Sequence, residues 1–194
     1  MPANKPLFIE FDELLAAEYD YIAQTAAQAH EDRARVASFY LIAVGSLFAA
    51  MFGTQLFDPA FFSRTVNLMF SGLFLLLTLL GTSTIMQLAR LRASWYESAL
   101  AMNQLKEYMV SQNKDLARAF RWTTDTLPSK YKTSSVSYYQ ALEVALIGGL
   151  MFGAAIFFLQ QAFVAIGVLN WIVSITAGLC TVYLQLYIYK RSLS

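Results

Sequence analysis

Few side chains in this 194-residue sequence have the chemistry to act on a substrate, and they do not cluster. There is one histidine, His30, and one cysteine, Cys180. A zinc hydrolase or a Cys/His nucleophile needs more parts than that, and a lone cysteine permits neither an intrachain disulfide framework nor a cysteine-rich metal site. His30 could sense pH, but it opens the charged stretch His30 to Arg35, where Glu31 and Arg35 stand four apart as an ordinary helix pair. It reads as a solvated surface group. Carboxylate-only catalysis needs paired acids at a pocket, whereas Glu10, Asp12, Glu13, Glu18 and Asp20 read as one acidic helix end. Gly148, Gly149 and Gly153 lie inside an apolar run and follow no strand, which argues against a phosphate loop. The expectation is a protein that is not an enzyme, with no catalytic residue, cofactor or metal.

Two sets of uncharged polar residues are the better candidates. Asn67, Ser71, Thr78 and Thr82 stand at relative positions 0, 4, 11 and 15, and Asn170, Ser174, Thr181 and Gln185 repeat those intervals. At about 100° per residue each set forms one narrow stripe on a helix. Hydroxyls and amides in hydrocarbon must find partners. These stripes could therefore line an aqueous path in an oligomer, or bond to backbone and neighbouring helices. Glu143 directly precedes the longest apolar run, and it reads as an interfacial acid whose stem snorkels. Arg90 and Arg92, beside Trp95, sit where lipid head groups lie.

The elements that carry these residues are set by where charge is missing. No Asp, Glu, Lys or Arg occurs from Val36 to Phe57, from Thr65 to Ala89, or from Val144 to Tyr189. A bilayer crossing takes about 20 mostly apolar helical residues, so the first two runs hold one span each and the third holds two. The expected fold is all-α: a polytopic integral membrane protein with four transmembrane helices, in a plasma or inner membrane. The first 35 residues lack the basic and short apolar regions of a cleavable signal. Thirteen of the fourteen basic residues fall on one side of such a topology, Arg64 alone being opposite. By the positive-inside rule both termini and the middle segment are cytoplasmic.

The chain reads as a single membrane domain over 1–194. Residues 8–57 form a cytoplasmic helix continuing into the first span, and 65–112 a second span continuing into a cytoplasmic helix. A short helix (Lys114 to Arg121) and a connector fill 113–135, and spans three and four cover 136–160 and 167–190. Outside the membrane, Leu15, Tyr19, Ile22, Ala26, Ala29 and Val36 mark one helix face, and Leu88, Leu91, Trp95, Met102, Leu105 and Met109 mark another. The two pair as an antiparallel stalk: Ala29 against Trp95, Ala26 near Ser98, Ile22 near Met102, Tyr19 near Leu105. Residues 1–35 hold seven acids and three bases, and 89–134 hold eight bases and four acids, so charge supports the pairing. The same acids and apolar seam argue against nucleic acid as a partner of the basic segment. Within the spans, Ser46, Ala50 and Thr54 and, about 100 residues later, Ala145, Gly149 and Gly153 form small-residue ladders suited to close helix packing. With the matching stripes they suggest a weak parallel repeat of two hairpins.

From Phe8 to Gln112, a cytoplasmic helix entering a membrane hairpin and leaving as another long helix resembles the SLATT-type membrane proteins of bacterial defence systems. The resemblance is one of layout and covers about half of the chain; the second pair of spans departs from the two-span pattern. It implies an oligomeric, pore-forming effector driven by a partner. The expected function is thus a non-enzymatic homo-oligomer in the bilayer, a narrow gated pore or channel-like effector. The alternative is a membrane scaffold or accessory subunit whose cytoplasmic stalk docks a soluble protein.

Overall fold

The computed structural model describes residues 11–53, 63–165 and 167–194. It has four α-helices, α1 (Phe11–Gly53), α2 (Arg64–Gln112), α3 (Val136–Gln161) and α4 (Val168–Leu193), with no strand among the described residues. Each contains a segment long and apolar enough to cross a membrane. The described residues are thus all-helical, with four candidate spans, as an integral membrane protein requires. At 1.5 Å per residue α1 and α2 are about 65 and 74 Å long, against about 39 Å for α3 and α4. The two long helices therefore continue past the four-helix bundle at one end. Residues 8–10 and 54–57 of the expected first helix, Thr54 of its ladder included, lie outside the described residues.

Local chemistry sets the helix ends. Ser63 caps α2, its hydroxyl accepting from the Val66 amide at 3.3 Å, and Ser135 does the same for Tyr138 of α3 at 3.2 Å. Asn113 ends α2 in an extended conformation and accepts from the Asp115 amide. The amide of Gly167, just before α4, donates to Asn170 Oδ1 at 3.0 Å.

In the bundle α2 is the central helix, packing on α1, α3 and α4, while α1 rests mainly on α2. The core joins Tyr40 and Val44 of α1 to Phe74, Ile85 and Leu88 of α2, Val144 and Met151 of α3, and Tyr189 of α4. Aromatic rings fill its far end, with Phe74 stacked on Phe158 at 5.6 Å and Phe70 at 5.2 Å from the same ring. The α3–α4 contact is a backbone crossing. A Cβ on Gly149 would sit 2.7 Å from the Gly178 carbonyl oxygen, and one on Gly178 would sit 2.8 Å from the Gly149 oxygen. Gly153 meets the Ser174 carbonyl in the same way at 3.0 Å.

The ladder of α1 does not behave like that of α3. Ser46 and Ala50 are exposed, whereas Ala145 and Gly149 are buried. The inward face of α1 is Tyr40, Val44, Leu47 and Met51, which places the small residues on the opposite side of the helix. Small size alone did not identify the packing face; the large residues one helical face away have more area to bury.

The stalk pairs α1 with α2, but its face is not the strict seven-residue seam. Ala26, Ala29 and Arg33 are buried on α1, and Arg92, Ala99 and Asn103 on α2. Ser98, Met102, Ile22 and Trp95 are only half-buried. A straight helix drifts about 20° per heptad from a 3.5-residue repeat, so the contact moves from Ser98 to Ala99 and from Met102 to Asn103. The Lys106 ammonium lies 6.0 Å from the Tyr19 ring centre, close to the expected register at that end.

The 113–135 segment is tied down. The expected helix over Lys114 to Arg121 is a single 3₁₀ stretch, Lys114–Arg118, followed by a 3₁₀ turn at Thr124–Thr126. The segment folds back along α2: Asn103 Nδ2 donates to the Thr123 carbonyl at 2.9 Å, and the Thr124 amide donates to Glu107 Oε1 at 2.8 Å. Further along, Arg92 donates to the Ser129 and Lys130 carbonyls at 3.4 and 3.2 Å.

Candidate functional site

Both polar stripes turn toward neighbouring helices. Asn67 and Thr78 of α2 and Ser174 and Gln185 of α4 are buried, and Ser71, Thr82, Asn170 and Thr181 are half-buried. At mid-bundle the Thr78 hydroxyl donates to the Phe74 carbonyl at 2.9 Å and reaches the Gly148 carbonyl of α3 at 3.5 Å. Thr82 donates to the Thr78 carbonyl at 3.0 Å, and its oxygen accepts from Gln185 Nε2 at 2.9 Å. Gly148 makes this possible, since a Cβ there would fall 2.6 Å from Gln185 Oε1. Thr78 thus joins α2 to α3 and the Gln185 amide, 1% exposed, joins α4 to α2. Toward the α3–α4 turn a second layer forms: Asn170 Nδ2 donates to Gln160 Oε1 at 3.0 Å, and Gln160 Nε2 donates to Ser174 Oγ at 3.1 Å and to the Asn170 carbonyl at 3.4 Å. Thr181 donates to its own helix at Ala177. Asn67 Oδ1 and Gln185 Oε1 are buried with no partner among the described residues.

Chemically these layers are neutral and are largely saturated by one another. Such contacts between membrane helices contribute about 0.6 kcal/mol each on average. They hold the bundle in register. Gln160, the last residue of the expected third span, completes the second layer from one residue before the end of α3.

The second concentration of polar chemistry is at the stalk end of the bundle. Arg90 and Arg92 were both expected among lipid head groups, but only Arg90 is exposed. Two residues apart on a helix is about 200° of rotation, so Arg92 points inward and is 6% exposed. Its guanidinium carbon lies 4.4 Å from the Trp95 ring centre, a cation–π distance, and its other contacts are the two carbonyls of the 113–135 segment. Arg33 of α1 is 4% exposed and donates from Nη2 to His30 Nδ1 at 2.6 Å. Burial first, and the charge of Arg92 second, lower the Arg33 pKa from its ordinary value. Around this pair lie Tyr189, whose hydroxyl is 2.9 Å from Ser137 Oγ, and the rings of Tyr131 and Tyr138. Lys190 stands over Tyr131 at 5.7 Å and Lys130 over Tyr96 at 5.3 Å. Glu143 is exposed on α3.

Arg33 had read as part of a charged surface stretch. Its spacing from Ala26, Ala29, Ala37 and Tyr40 places it on their face, and that register was the signal for its burial. Among the described residues no three of His, Cys, Asp and Glu converge as metal ligands. No protein-family model, curated protein or solved structure matches this chain.

Proposed function

We propose that this protein is a non-enzymatic integral membrane scaffold or accessory subunit, with both termini and the stalk in the cytoplasm, whose stalk docks a soluble protein partner. The observation that carries this reading is the use of both polar stripes inside the single-chain bundle. With Thr78, Thr82, Ser174 and Gln185 engaged between α2, α3 and α4, they are not free to face a shared axis between copies. The lipid-facing surface is instead made of side chains such as Leu76, Leu146, Ile172 and Leu179. The cytoplasmic placement is supported by the thirteen basic residues that share the stalk side.

The stalk offers what the bundle does not. It projects beyond the membrane segments, and Leu14 and Tyr21 of α1 and Tyr108 of α2 are exposed there. Seven residues separate Leu14 from Tyr21, so they lie on one face of α1. A second copy would meet the bundle at the exposed Ser46 and Ala50 side of α1, where small residues let backbones approach.

Two measurements together test the proposal. A photo-crosslinking residue at Tyr21 or Tyr108, in intact cells, is expected to yield a discrete adduct with a soluble protein. The same probe at Leu76 or Leu146 should give none. The adduct should disappear in Ile22→Asp, while vesicles reconstituted with the protein hold ion gradients as well as empty vesicles. Ion flux that rises with protein content, or adducts confined to membrane positions, would return the assignment to a pore.

A further inference from the structure

The stretch from Lys114 to Trp122 has an inner and an outer face. Its 3₁₀ helix packs on α2, and Leu116 and Phe120 are half-buried, while Lys114, Arg118, Arg121 and Trp122 are exposed. It holds three bases and one acid, Asp115. Trp122 is 67% exposed, yet the residue after it is fixed. The Thr123 carbonyl accepts from Asn103 Nδ2 at 2.9 Å, and the Thr123 amide donates to Thr126 Oγ1 at 3.0 Å. A large indole beside arginines has the composition of an interface anchor, and this one is ordered before anything binds. Head groups of the surrounding bilayer are out of its reach. Asn103 stands fourteen residues past Ala89, the end of the charge-free run. That is about 21 Å along α2, against a head-group layer about 5–7 Å deep.

One side of α1 has the opposite character. Glu13, Asp20 and Glu31 are exposed, and their spacings of seven and eleven residues put them within about 20° of one another on the helix. Ala16, Ala17 and Ala27 are exposed between them, and no Lys or Arg occurs from Glu13 to Glu31. This face is acidic and built of small side chains. Leu14 and Tyr21, each one residue further on, point about 100° away and belong to a different face. Among the described residues the one ion pair is Arg35 with Asp32 at 3.2 Å, so the acidic and basic surfaces do not pair within the chain.

The two surfaces lie at one height on the stalk. Thr123 and Thr124 are bonded to Asn103 and Glu107, and the Tyr19 ring centre is 6.0 Å from the Lys106 ammonium, so both surfaces sit beside the same part of α2. Copies inserted under the same topology rules share orientation and depth in a bilayer, and a lateral contact between them joins surfaces of equal height. We propose that the stalks of neighbouring copies pair, with Trp122 of one seated on the alanines of the other's α1 and Arg118 and Arg121 set against Glu13 and Asp20. Exposed ion pairs are individually weak. Confinement to one membrane raises the effective concentration of the two surfaces, and the indole adds apolar area to bury. The contact leaves the face of Leu14 and Tyr21 open to a soluble partner.

Crosslinking between copies in native membranes tests this. In a Cys180→Ala background, Asp20→Cys chains and differently tagged Arg121→Cys chains are co-expressed and treated with a short bis-maleimide. A mixed dimer is expected. Tyr21→Cys in place of Asp20→Cys should give several-fold less of it, as should Trp122→Ala added to the Arg121→Cys chain. Without any introduced cysteine, Arg118→Glu with Arg121→Glu in every copy should abolish co-purification of two tagged forms. Adding Glu13→Arg and Asp20→Arg to those same chains should restore it, which a merely damaged stalk would not allow. Absence of the mixed dimer, equal crosslinking through Tyr21→Cys, or a charge swap that restores nothing overturns the proposal. So does an adduct at position 121 formed only with a different protein. Photo-crosslinking at Tyr21 tests the soluble-partner reading separately, so either can fail alone.

Discussion

Gly149 and Gly178 bring α3 and α4 into backbone contact, and neither leaves room for a methyl group. Gly148, next in sequence, faces only the end of the Gln185 side chain. Gly149→Ala must push two helices apart, and overpacking of this kind costs about 1–3 kcal/mol. Gly148→Ala asks an amide to swing. Thermal unfolding in detergent should therefore show Gly149→Ala as clearly the less stable of the two, and equal stability would mean that the crossing is looser than drawn. The glycine ladder of the third span could be read from its period of four. Its partner Gly178 could not, because one glycine in an apolar run has no period. Arg33 was hidden for a related reason: its neighbours in sequence are charged, and only its neighbours in space are alanines and an arginine.

The segment between α2 and α3 shows how a polar connector is fixed without a core of its own. Asn103, Glu107 and Arg92 of α2 hold it at successive points along the helix. Asn103 is buried, and Asn103→Ala removes the one of three donors to the Thr123 carbonyl that ties it to α2, leaving only the amide and hydroxyl of Thr126 within the turn itself. Limited trypsin digestion should then cut at Arg121 and Lys130 several times faster than in the parent protein, with unchanged rates at sites outside the segment. Glu107 adds a pH dependence. The hydrogen bond it accepts from the Thr124 backbone amide holds its pKa below the ordinary carboxylate value. A depressed folded-state pKa means that the contact contributes above the unfolded-state value of about 4.3 and is lost as pH falls through the folded one. Hydrogen-exchange protection of the Thr124 amide should fall over that acidic range and be insensitive to it in Glu107→Gln. The helices themselves were evident from absent charge and absent breakers. The course of the connector was not, because Asn103 and Glu107 are ordinary surface residues until their partners are placed twenty and seventeen residues away.

For the molecule as a whole, three charge-free runs in the sequence, the third long enough for two spans, agree with four membrane-length helices in the structure. The sequence also marked the stripes as the polar content of the membrane, and left open whether they face water or each other. Periodicity places residues on a helix face without saying what that face meets. Geometry supplies the partners: Thr82 with Gln185, and Ser174 and Asn170 with Gln160. The assignment of function to the stalk depends on those partners being permanent. Cysteine accessibility in native membranes tests this most directly. In a Cys180→Ala background, Thr78→Cys and Ser174→Cys should stay unreactive toward a small charged thiol reagent applied from either side, while Tyr108→Cys on the stalk reacts fully. Rapid labelling of Thr78→Cys or Ser174→Cys would place a water path through the bundle and contradict the account.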